Sequence, residues 1–474
     1  MVGVPGRSKA CVTCRRRRKG CDLKRPACTQ CSKAGLQCGS YEPPRVFVVS
    51  TPESRYPGYS LKATASPQSP SPLWDRIQHN QFSSELTNLR LLVRPEQEKR
   101  CIDLFWEAYF PSGRPIPENA IRSYTCTWTE TAQKSYRDEK CLRHAVWANC
   151  LLVTGSRHST EWMVKEASIW YGEALLELRV SLGRPRGARG ALIATVKLLG
   201  MFETFSREFE STEPKNDAEP PNWQQHSAGE LALFMARTPM AHMDGDAHHV
   251  FADERAEMAL SSILQRKRLA LSASEWKSVP WSRIPKNMKD ILIDVLVEIP
   301  GLVEDLDAVR LAKNSDARQA LRADLEERCW QHHRDLRCWL GLLSRFVNPC
   351  PNPCPSPKPP DPVDVVTRVA RVHGMSFFWV TSLVLYSILR EVRESQHAAA
   401  EETNPLYHVQ RIVEAISILM RPEAGLYGRH SVVLQIEIAI RYSLEISPRS
   451  GESEALVARL RSLKHDSRFV SVES

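Results

Sequence analysis

The chain has 474 residues, of which 42% are hydrophobic and 25% are charged. That apolar fraction is enough to bury a large core, which excludes a wholly disordered chain. The net charge is +9, and residues 1–45 account for all of it, because 11 lysines and arginines there face only Asp22 and Glu42. A compact basic segment beside a neutral body is typical of proteins that bind a polyanion.

The first residues contain no apolar stretch of the kind found in signal peptides. We therefore expect a chain that is not exported. In that setting, the 14 cysteines are expected to be reduced thiols or metal ligands rather than disulfides.

Six cysteines near the N-terminus follow a repeated spacing. The pattern C-x2-C-x6-C occurs twice, and six residues separate the two copies. A C-x2-C pair lets one short turn present two thiolates to a tetrahedral metal ion. Six thiolates can fill two tetrahedral zinc sites if two of the sulfurs bridge both ions. The predicted metal ligands are Cys11, Cys14, Cys21, Cys28, Cys31 and Cys38.

Three other arrangements could use the same cysteines: a single-zinc site with two spare thiols, an iron–sulfur cluster, or a disulfide knot. The exact repeat and the basic run between its halves disfavour all three. The segment also has few large aliphatic residues, only Val12, Leu23 and Leu36, so it cannot fold by apolar burial alone. Structural zinc can supply on the order of 10–16 kcal/mol of folding free energy.

The stretch KACVTCRRRRKGCDLKRPACTQCSKAGLQC resembles the fungal binuclear zinc cluster (Zn2Cys6) transcription factors. The matching features include the basic run after the second cysteine, Cys21-Asp22, and Pro26 before the fourth cysteine. The resemblance implies two Zn²⁺ ions. It also implies the distribution of ligands: Cys11 and Cys28 bridge, Cys14 and Cys21 complete one site, and Cys31 and Cys38 complete the other.

The resemblance further implies a short helix after Cys14 that enters the DNA major groove over a CGG-type triplet. Arg18 would then be the main base-reading residue, since an arginine fork can bind guanine O6 and N7 together. Two positions depart from the family: position 18 is often lysine, and position 20 is usually basic but is Gly20 here. The candidate phosphate contacts are Arg15, Arg16, Arg17, Lys19 and Lys24.

The basic run at residues 15–19 also has two simpler explanations, a nuclear import signal and a solvated charge run. An import signal is compatible with DNA reading. The expected localisation is the nucleus.

A Pro- and Ser-rich stretch follows, and residues 46–85 are expected to form a disordered linker. No heptad repeat follows the cysteines, so a dimerising coiled coil is not expected there. Pairing through the body as a homodimer and action as a monomer both stay open. The predicted domains are residues 1–45, the linker 46–85 and a body at 86–474.

The body is expected to be all-α, because helical periodicity recurs and alternating strand patterns are absent. Pro95 is a plausible helix start, and the uncharged run Val372–Leu389 has the length of a membrane span but reads as a buried core helix. The predicted helical segments cover 95–109, 162–182, 188–207, 224–237, 253–266, 288–304, 310–346, 362–397, 404–420 and 431–446.

Short stretches of the body resemble the fungal-specific transcription factor domain. They start at Trp223-x2-His226-x2-Gly229, continue through Glu275-Trp276 and Pro280-Trp281, and end at Ile299-Pro300-Gly301-Leu302. The resemblance implies a helical regulatory module. On physical grounds Trp223, Phe234, Trp276 and Trp281 are expected to be core aromatics, and His226 a packed, hydrogen-bonded histidine rather than a metal ligand.

Other cysteines and histidines give no clear site. Cys350 and Cys354 lie in a Pro-rich loop that is expected to be a linker. A docking or metal site is the alternative. His248-His249 and His332-His333 lack helical metal-site spacing. The scattered cysteines are expected to be small core residues: Cys101, Cys126, Cys141, Cys150, Cys329 and Cys338.

The sequence contains no recognised catalytic motif, so we do not expect an enzyme. The leading hypothesis is a zinc-dependent, sequence-specific regulator of RNA polymerase II transcription, with double-stranded DNA and the transcription machinery as partners and no membrane. The alternatives are a ligand-binding helical protein tethered to DNA by the zinc cluster, and a non-specific nucleic-acid or zinc-storage protein. The sequence does not identify any small-molecule effector.

Overall fold

The computed structural model describes residues 11–38 without positions 12, 15, 16, 18, 25 and 26, and then residues 95–113, 127–157, 160–183, 189–209, 222–346, 362–393, 403–446 and 451–466. The chain divides into two units, Met1–Gln81 and Phe82–Ser474. The expected linker at 46–85 lies outside the described residues. Its boundaries therefore stay predictions.

Across the described ranges, the regular structure consists of α-helices and short 3-10 turns, which confirms the mainly α fold. In the first unit, helix α1 is Thr29–Lys33. The described helices of the second unit are α2 (Pro95–Tyr109), α3 (Thr127–Ser135), α4 (Lys140–Arg157), α5 (Glu161–Leu182), α6 (Arg189–Phe209), α7 (Asn222–Met235), α8 (Gly245–Gln265), α9 (Ser274–Ser278), α10 (Met288–Leu296), α11 (Ile299–Leu311), α12 (Ser315–Phe346), α13 (Pro362–Val392), α14 (Pro405–Leu419), α15 (Gly425–Ile446) and α16 (Gly451–Asp466).

Local sequence signals fix several helix starts. Helix α10 follows Asn287, whose side chain accepts a hydrogen bond from the Asp290 N–H, while the Asp290 carboxylate accepts one from the Asn287 N–H. Helix α14 follows Asn404, whose side-chain oxygen accepts from the Leu406 N–H. Pro405 then occupies its first turn, where a missing N–H is harmless.

One continuous apolar core extends from α2 to α16 in the second unit. Helices α4 and α5 pack along each other as a helical hairpin. Helix α13 packs against α12, α14 and α15, which gives it a central place in the C-terminal half of this unit. The core is therefore built by helix-on-helix packing along most of the second unit's described helices.

Helix α13 contains the apolar run Val372–Leu389. It is the described helix that is long and apolar enough to cross a membrane, but 72% of its most apolar window is buried inside the protein. Phe377, Leu383 and Val384 are among its fully or almost fully buried residues. The prediction of a core helix is confirmed.

The helix boundaries differ from the prediction in several places. Helices α1, α3, α4, α9 and α16 were not predicted, and α8 and α15 begin earlier than expected. Helix α4 is buried along its middle, from Ala145 to Val153 apart from Trp147, and its exposed charged residues lie near its ends, so its polar stripe is short. The predicted helix 288–304 is interrupted at Val297–Glu298 because Pro300 lies in the first turn of the next helix.

The predicted packing residues are mostly where expected. Phe234, Trp276 and Trp281 are buried. His226 is half-buried, and its Nε2 lies 3.1 Å from the Tyr171 hydroxyl, which confirms a packed, hydrogen-bonded histidine. The side chain of Trp223 lies outside the described set.

The scattered cysteines divide into two groups. Cys141, Cys150 and Cys329 are buried, as predicted, and Cys101 is half-buried. Cys338 is exposed, so its assignment to the core was wrong. It lies on the solvent side of α12, whose sequence is polar enough to expose most of its surface. The remaining predicted positions, Cys126, Cys350 and Cys354, lie outside the described residues.

Candidate metal centre

The six N-terminal thiols lie together in the first unit. Two groups of four sulfurs each fall within 4.8 Å of one another. One group is Cys11, Cys14, Cys21 and Cys28, and the other is Cys11, Cys28, Cys31 and Cys38. The two groups share Cys11 and Cys28.

The distances between these sulfurs suit a tetrahedral zinc site. The Cys11 and Cys28 sulfurs are 3.8 Å apart, and the Cys14 and Cys28 sulfurs are 3.5 Å apart. A tetrahedral Zn²⁺ with bonds of about 2.3 Å to sulfur places its ligands about 3.8 Å from one another. The sulfurs are also far too distant for disulfide bonds, and all six cysteines are free thiols. This donor set fits a binuclear zinc centre.

Backbone hydrogen bonds hold the sulfurs in place. The Cys14 N–H donates to the Cys11 sulfur at 3.3 Å, and the Cys31 N–H donates to the Cys28 sulfur at 3.4 Å. The Cys28 N–H donates to the Cys38 sulfur at 3.3 Å. Bonds of this kind stabilise thiolate sulfur, the form that binds metal.

The two halves of the segment repeat one geometry every 17 residues. The first half has the Lys19 N–H donating to the Cys14 carbonyl, and the second half has the Leu36 N–H donating to the Cys31 carbonyl, each at 3.0 Å. Helix α1 ends before Gly35, which has a φ of +62° and allows the chain to turn there. The repeat in spacing is thus also a repeat in backbone structure.

Two side-chain contacts join distant parts of the segment. The Asp22 carboxylate accepts hydrogen bonds from the Thr29 N–H at 3.0 Å and from the Thr29 hydroxyl at 2.5 Å. The Thr29 hydroxyl bond is the main reason that the pKa of Asp22 is lowered. The Thr13 hydroxyl donates to the Gln37 carbonyl at 2.9 Å. No spacing signal in the sequence indicated Thr13 or Thr29 as positioning residues.

The crowded sulfurs have shifted acidities. Burial is the main cause that raises the pKa of Cys31 to about 12, and it also raises the pKa of Cys11 and Cys14. The pKa of Cys21 is lowered, mainly by a hydrogen bond from the Cys11 N–H. Several thiolates at such short range need a compensating positive charge, which divalent zinc supplies when it binds.

The predicted DNA-contacting residues are only partly described. Arg17, Lys19 and Lys24 are exposed to solvent around the sulfur cluster. The other predicted contacts, Arg15, Arg16 and Arg18, lie outside the described residues. Among the described parts of the chain, the groups able to hold a metal consist of these cysteines. Neither His248-His249 nor His332-His333 belongs to such a group.

The family comparison decides the identity of this segment. Residues 9–46 match the family described as the fungal Zn(2)-Cys(6) binuclear cluster domain. The N-terminal segment belongs to the Zn2Cys6 family. As a Zn2Cys6 domain it binds two zinc ions, and the six grouped thiols provide the donors.

A curated relative is similar to a short stretch of the chain. This is an uncharacterized transcriptional regulatory protein of Saccharomyces cerevisiae, 58% identical over 33 residues. The matched residues make up 7% of this chain and 2% of the yeast protein. No solved structure matches the chain. What is known of the helical body beyond the Zn2Cys6 domain therefore comes from its own sequence and structure.

Proposed function

We propose that the chain is a zinc-dependent, sequence-specific DNA-binding transcription regulator that acts on RNA polymerase II genes in the nucleus. The main support is the pair of overlapping four-thiol groups, located in the segment that has all of the net positive charge. The printed description of the yeast relative, a transcriptional regulatory protein, agrees with this proposal.

Zinc would have a structural role in this function. Cys11 and Cys28 would bridge the two ions, since they belong to both thiol groups. Cys14 and Cys21 would complete one site, and the other would contain Cys31 and Cys38. The ions supply the folding free energy that the few apolar residues of this segment cannot.

DNA recognition would use the basic residues beside the cluster. Arg18 would read a CGG-type triplet in the major groove, and a bidentate contact to guanine contributes about 1–3 kcal/mol of discrimination. The proposed phosphate contacts are Arg15, Arg16, Arg17, Lys19 and Lys24. The exposure of Arg17, Lys19 and Lys24 supports their part in this assignment.

The rest of the chain would connect and regulate this DNA-binding domain. The proposed organisation is a DNA-binding domain at 1–45, a linker at 46–85 and a regulatory body at 86–474. The body offers a large helical surface for pairing with a second copy or for contact with the transcription machinery.

A mobility-shift experiment on the full-length protein tests the DNA-binding proposal. The zinc-loaded protein should bind CGG-containing duplexes more tightly than scrambled duplexes, and a chelator should abolish the preference. Arg18→Ala should reduce the preference by about 1–3 kcal/mol. Lys24→Ala should weaken binding to both duplexes alike and flatten the salt dependence.

Two results would contradict the proposal. Equal affinity for CGG-containing and scrambled duplexes would leave only non-specific binding. An unchanged preference in Arg18→Ala would mean that another side chain reads the bases, while the zinc-dependence measurement would still test the role of the cluster.

A further inference from the structure

The second unit buries an unusual group of charged side chains between α6, α7, α8 and α15. Lys197 on α6 is 5% exposed, and its Nζ donates hydrogen bonds of 2.9 Å to Glu254 and Glu257 on α8. Glu254 is fully buried and Glu257 is partly exposed. Glu230 on α7 is 6% exposed. Three carboxyl groups therefore surround one ammonium group.

A cavity of about 70 Å³ lies beside this charged group. This is about the volume of two liquid waters, at roughly 30 Å³ each, so it accommodates an ammonium head group. The cavity is also open to solvent, where a short alkyl chain can extend. Glu230, Glu257 and Lys197 line its charged side, and Val196, Leu260 and Val433 line an apolar side. The cavity therefore combines a negative region with a short apolar wall.

One carboxyl oxygen of Glu230 and one of Glu254 lack the hydrogen-bond donor that a buried carboxylate oxygen needs. The Oε1 atom of each is fully buried and accepts no hydrogen bond from a donor group. The two carboxyl groups are close enough for a proton on Glu230 to join them. Burial raises the pKa of Glu254 to about 8 and raises the pKa of Glu230 well above its ordinary value, so a shared proton neutralises part of the charge.

The other ionisable groups facing the cluster do not supply the missing positive charge. Burial lowers the pKa of His430 to about 4, of His373 on α13 to about 3, and also lowers the pKa of His226. These imidazoles are therefore neutral near pH 7. Lys289, which also faces His373, pairs with Asp253 at 3.1 Å. With one proton shared between Glu230 and Glu254, the cluster around Lys197 still has one more negative than positive charge.

We propose that this cavity binds a small primary ammonium ion with a short apolar chain, with Glu230 and Glu257 as its anionic partners. An ammonium group has three N–H donors for these carboxylates, and its alkyl chain fits the apolar wall. A divalent metal fits less well, because among the described residues only the cysteine thiols lie close enough together to form a ligand set. The proposal is independent of the zinc cluster and of DNA binding.

Titration calorimetry of the full-length, zinc-loaded protein with n-butylammonium chloride tests this site. We expect saturable binding at neutral pH, and none with 1-butanol, which has the same number of heavy atoms but no charge. Sodium chloride at equal ionic strength is the salt control. Measurements in HEPES and in phosphate, neither of which is a primary ammonium ion, should differ by the difference in buffer protonation heat for about one released proton, because the ammonium ion displaces the proton between Glu230 and Glu254.

Variants locate the binding site. Glu230→Gln and Glu257→Gln should each weaken n-butylammonium binding about tenfold or more, since each removes a charged hydrogen-bond partner. Glu161→Gln makes the same change at a carboxylate that is 81% exposed, and it should leave the affinity unchanged.

The proposal is overturned if n-butylammonium does not saturate, if 1-butanol binds equally well, or if the Glu230 and Glu257 variants keep the wild-type affinity. If either variant fails to fold, the wild-type protein decides the question, because binding without proton release would also overturn the proposal.

Discussion

Cys28 and Cys11 differ from the other described cysteines because each belongs to both four-thiol groups. We predict that Cys28→Ser loses both zinc ions, since the change leaves each site one thiolate short. Cys38→Ser, which affects one group, should retain about half of the zinc, as expected for one intact site. Elemental analysis of the purified proteins measures this difference.

Cys338→Ser is the matched control, because Cys338 is exposed on α12 and belongs to neither thiol group. It should keep the full zinc content. Equal zinc loss in the Cys28 and Cys38 variants would contradict the shared-ligand assignment.

At this scale the sequence predicts ligands well and positioning residues poorly. The six cysteines were identifiable because a metal with fixed geometry demands a fixed spacing. The contact between Asp22 and Thr29 depends on how the chain turns between the cysteines, which no spacing rule reports. The buried Lys197 and Glu254 were missed for a related reason: charged residues on a helix read as a solvated face until tertiary packing covers them.

Helix packing makes a prediction at Gly428 in α15. A Cβ atom there would overlap the carbonyl of Leu419 at the end of α14 and the side chain of Ala424. We predict that Gly428→Ala lowers the free energy of unfolding by about 1–3 kcal/mol, because the backbone of one helix must move away from the other. Urea denaturation followed by circular dichroism measures the change.

Gly341 in α12 provides the opposite case. A Cβ atom there meets nothing within 4 Å, so Gly341→Ala should raise the free energy of unfolding by about 0.5–1 kcal/mol through helix propensity alone. A destabilising effect of similar size at both positions would show that close approach at Gly428 is not the cause.

The elements that the sequence missed share a physical property. Helix α4 is buried along its middle and exposes charged residues near its ends, so its polar stripe is too short to reveal the helix. In α5 the buried residues Met163, Ala167, Ala174 and Leu178 recur at helical spacing, and the helix was predicted almost to the residue. Periodicity finds helices that face both core and solvent, and it overlooks those enclosed by other helices.

The stability of the whole body should depend on pH through its buried histidines. The pKa of His373 is lowered by burial to about 3, whereas in an unfolded chain it is about 6.5. The unfolded state therefore binds more protons below pH 6.5. The contribution of His373 to stability is present above that value and is lost as the pH falls toward 3.

We predict that His373→Gln removes this dependence. The free energy of unfolding of the wild type minus that of the variant should decrease by up to about 2 kcal/mol between pH 7 and pH 5. His249→Gln, at an exposed position on α8, should follow the wild-type profile. Urea denaturation at the two pH values measures both, and parallel profiles for wild type and His373→Gln would contradict the prediction.

At the scale of the molecule, composition and periodicity were sufficient for the mainly α class and for separating the basic segment from the body. They were insufficient for the arrangement of helices, because contacts such as those of α13 with α12, α14 and α15 join residues far apart in sequence. The cavity beside Lys197 depends on four helices meeting, and no local pattern indicates it.

The central position of α13 has a consequence for how the protein is made. Ribosomes synthesise α13 before α14 and α15, which later cover it. Until then, the nascent chain exposes part of a segment that has the length and hydropathy of a membrane anchor. This segment can aggregate, or it can be bound by the machinery that inserts membrane segments. A stop codon between α13 and α15 would leave the part of α13 that the missing helices cover permanently exposed, so truncations there would produce an aggregation-prone polypeptide rather than a smaller working protein.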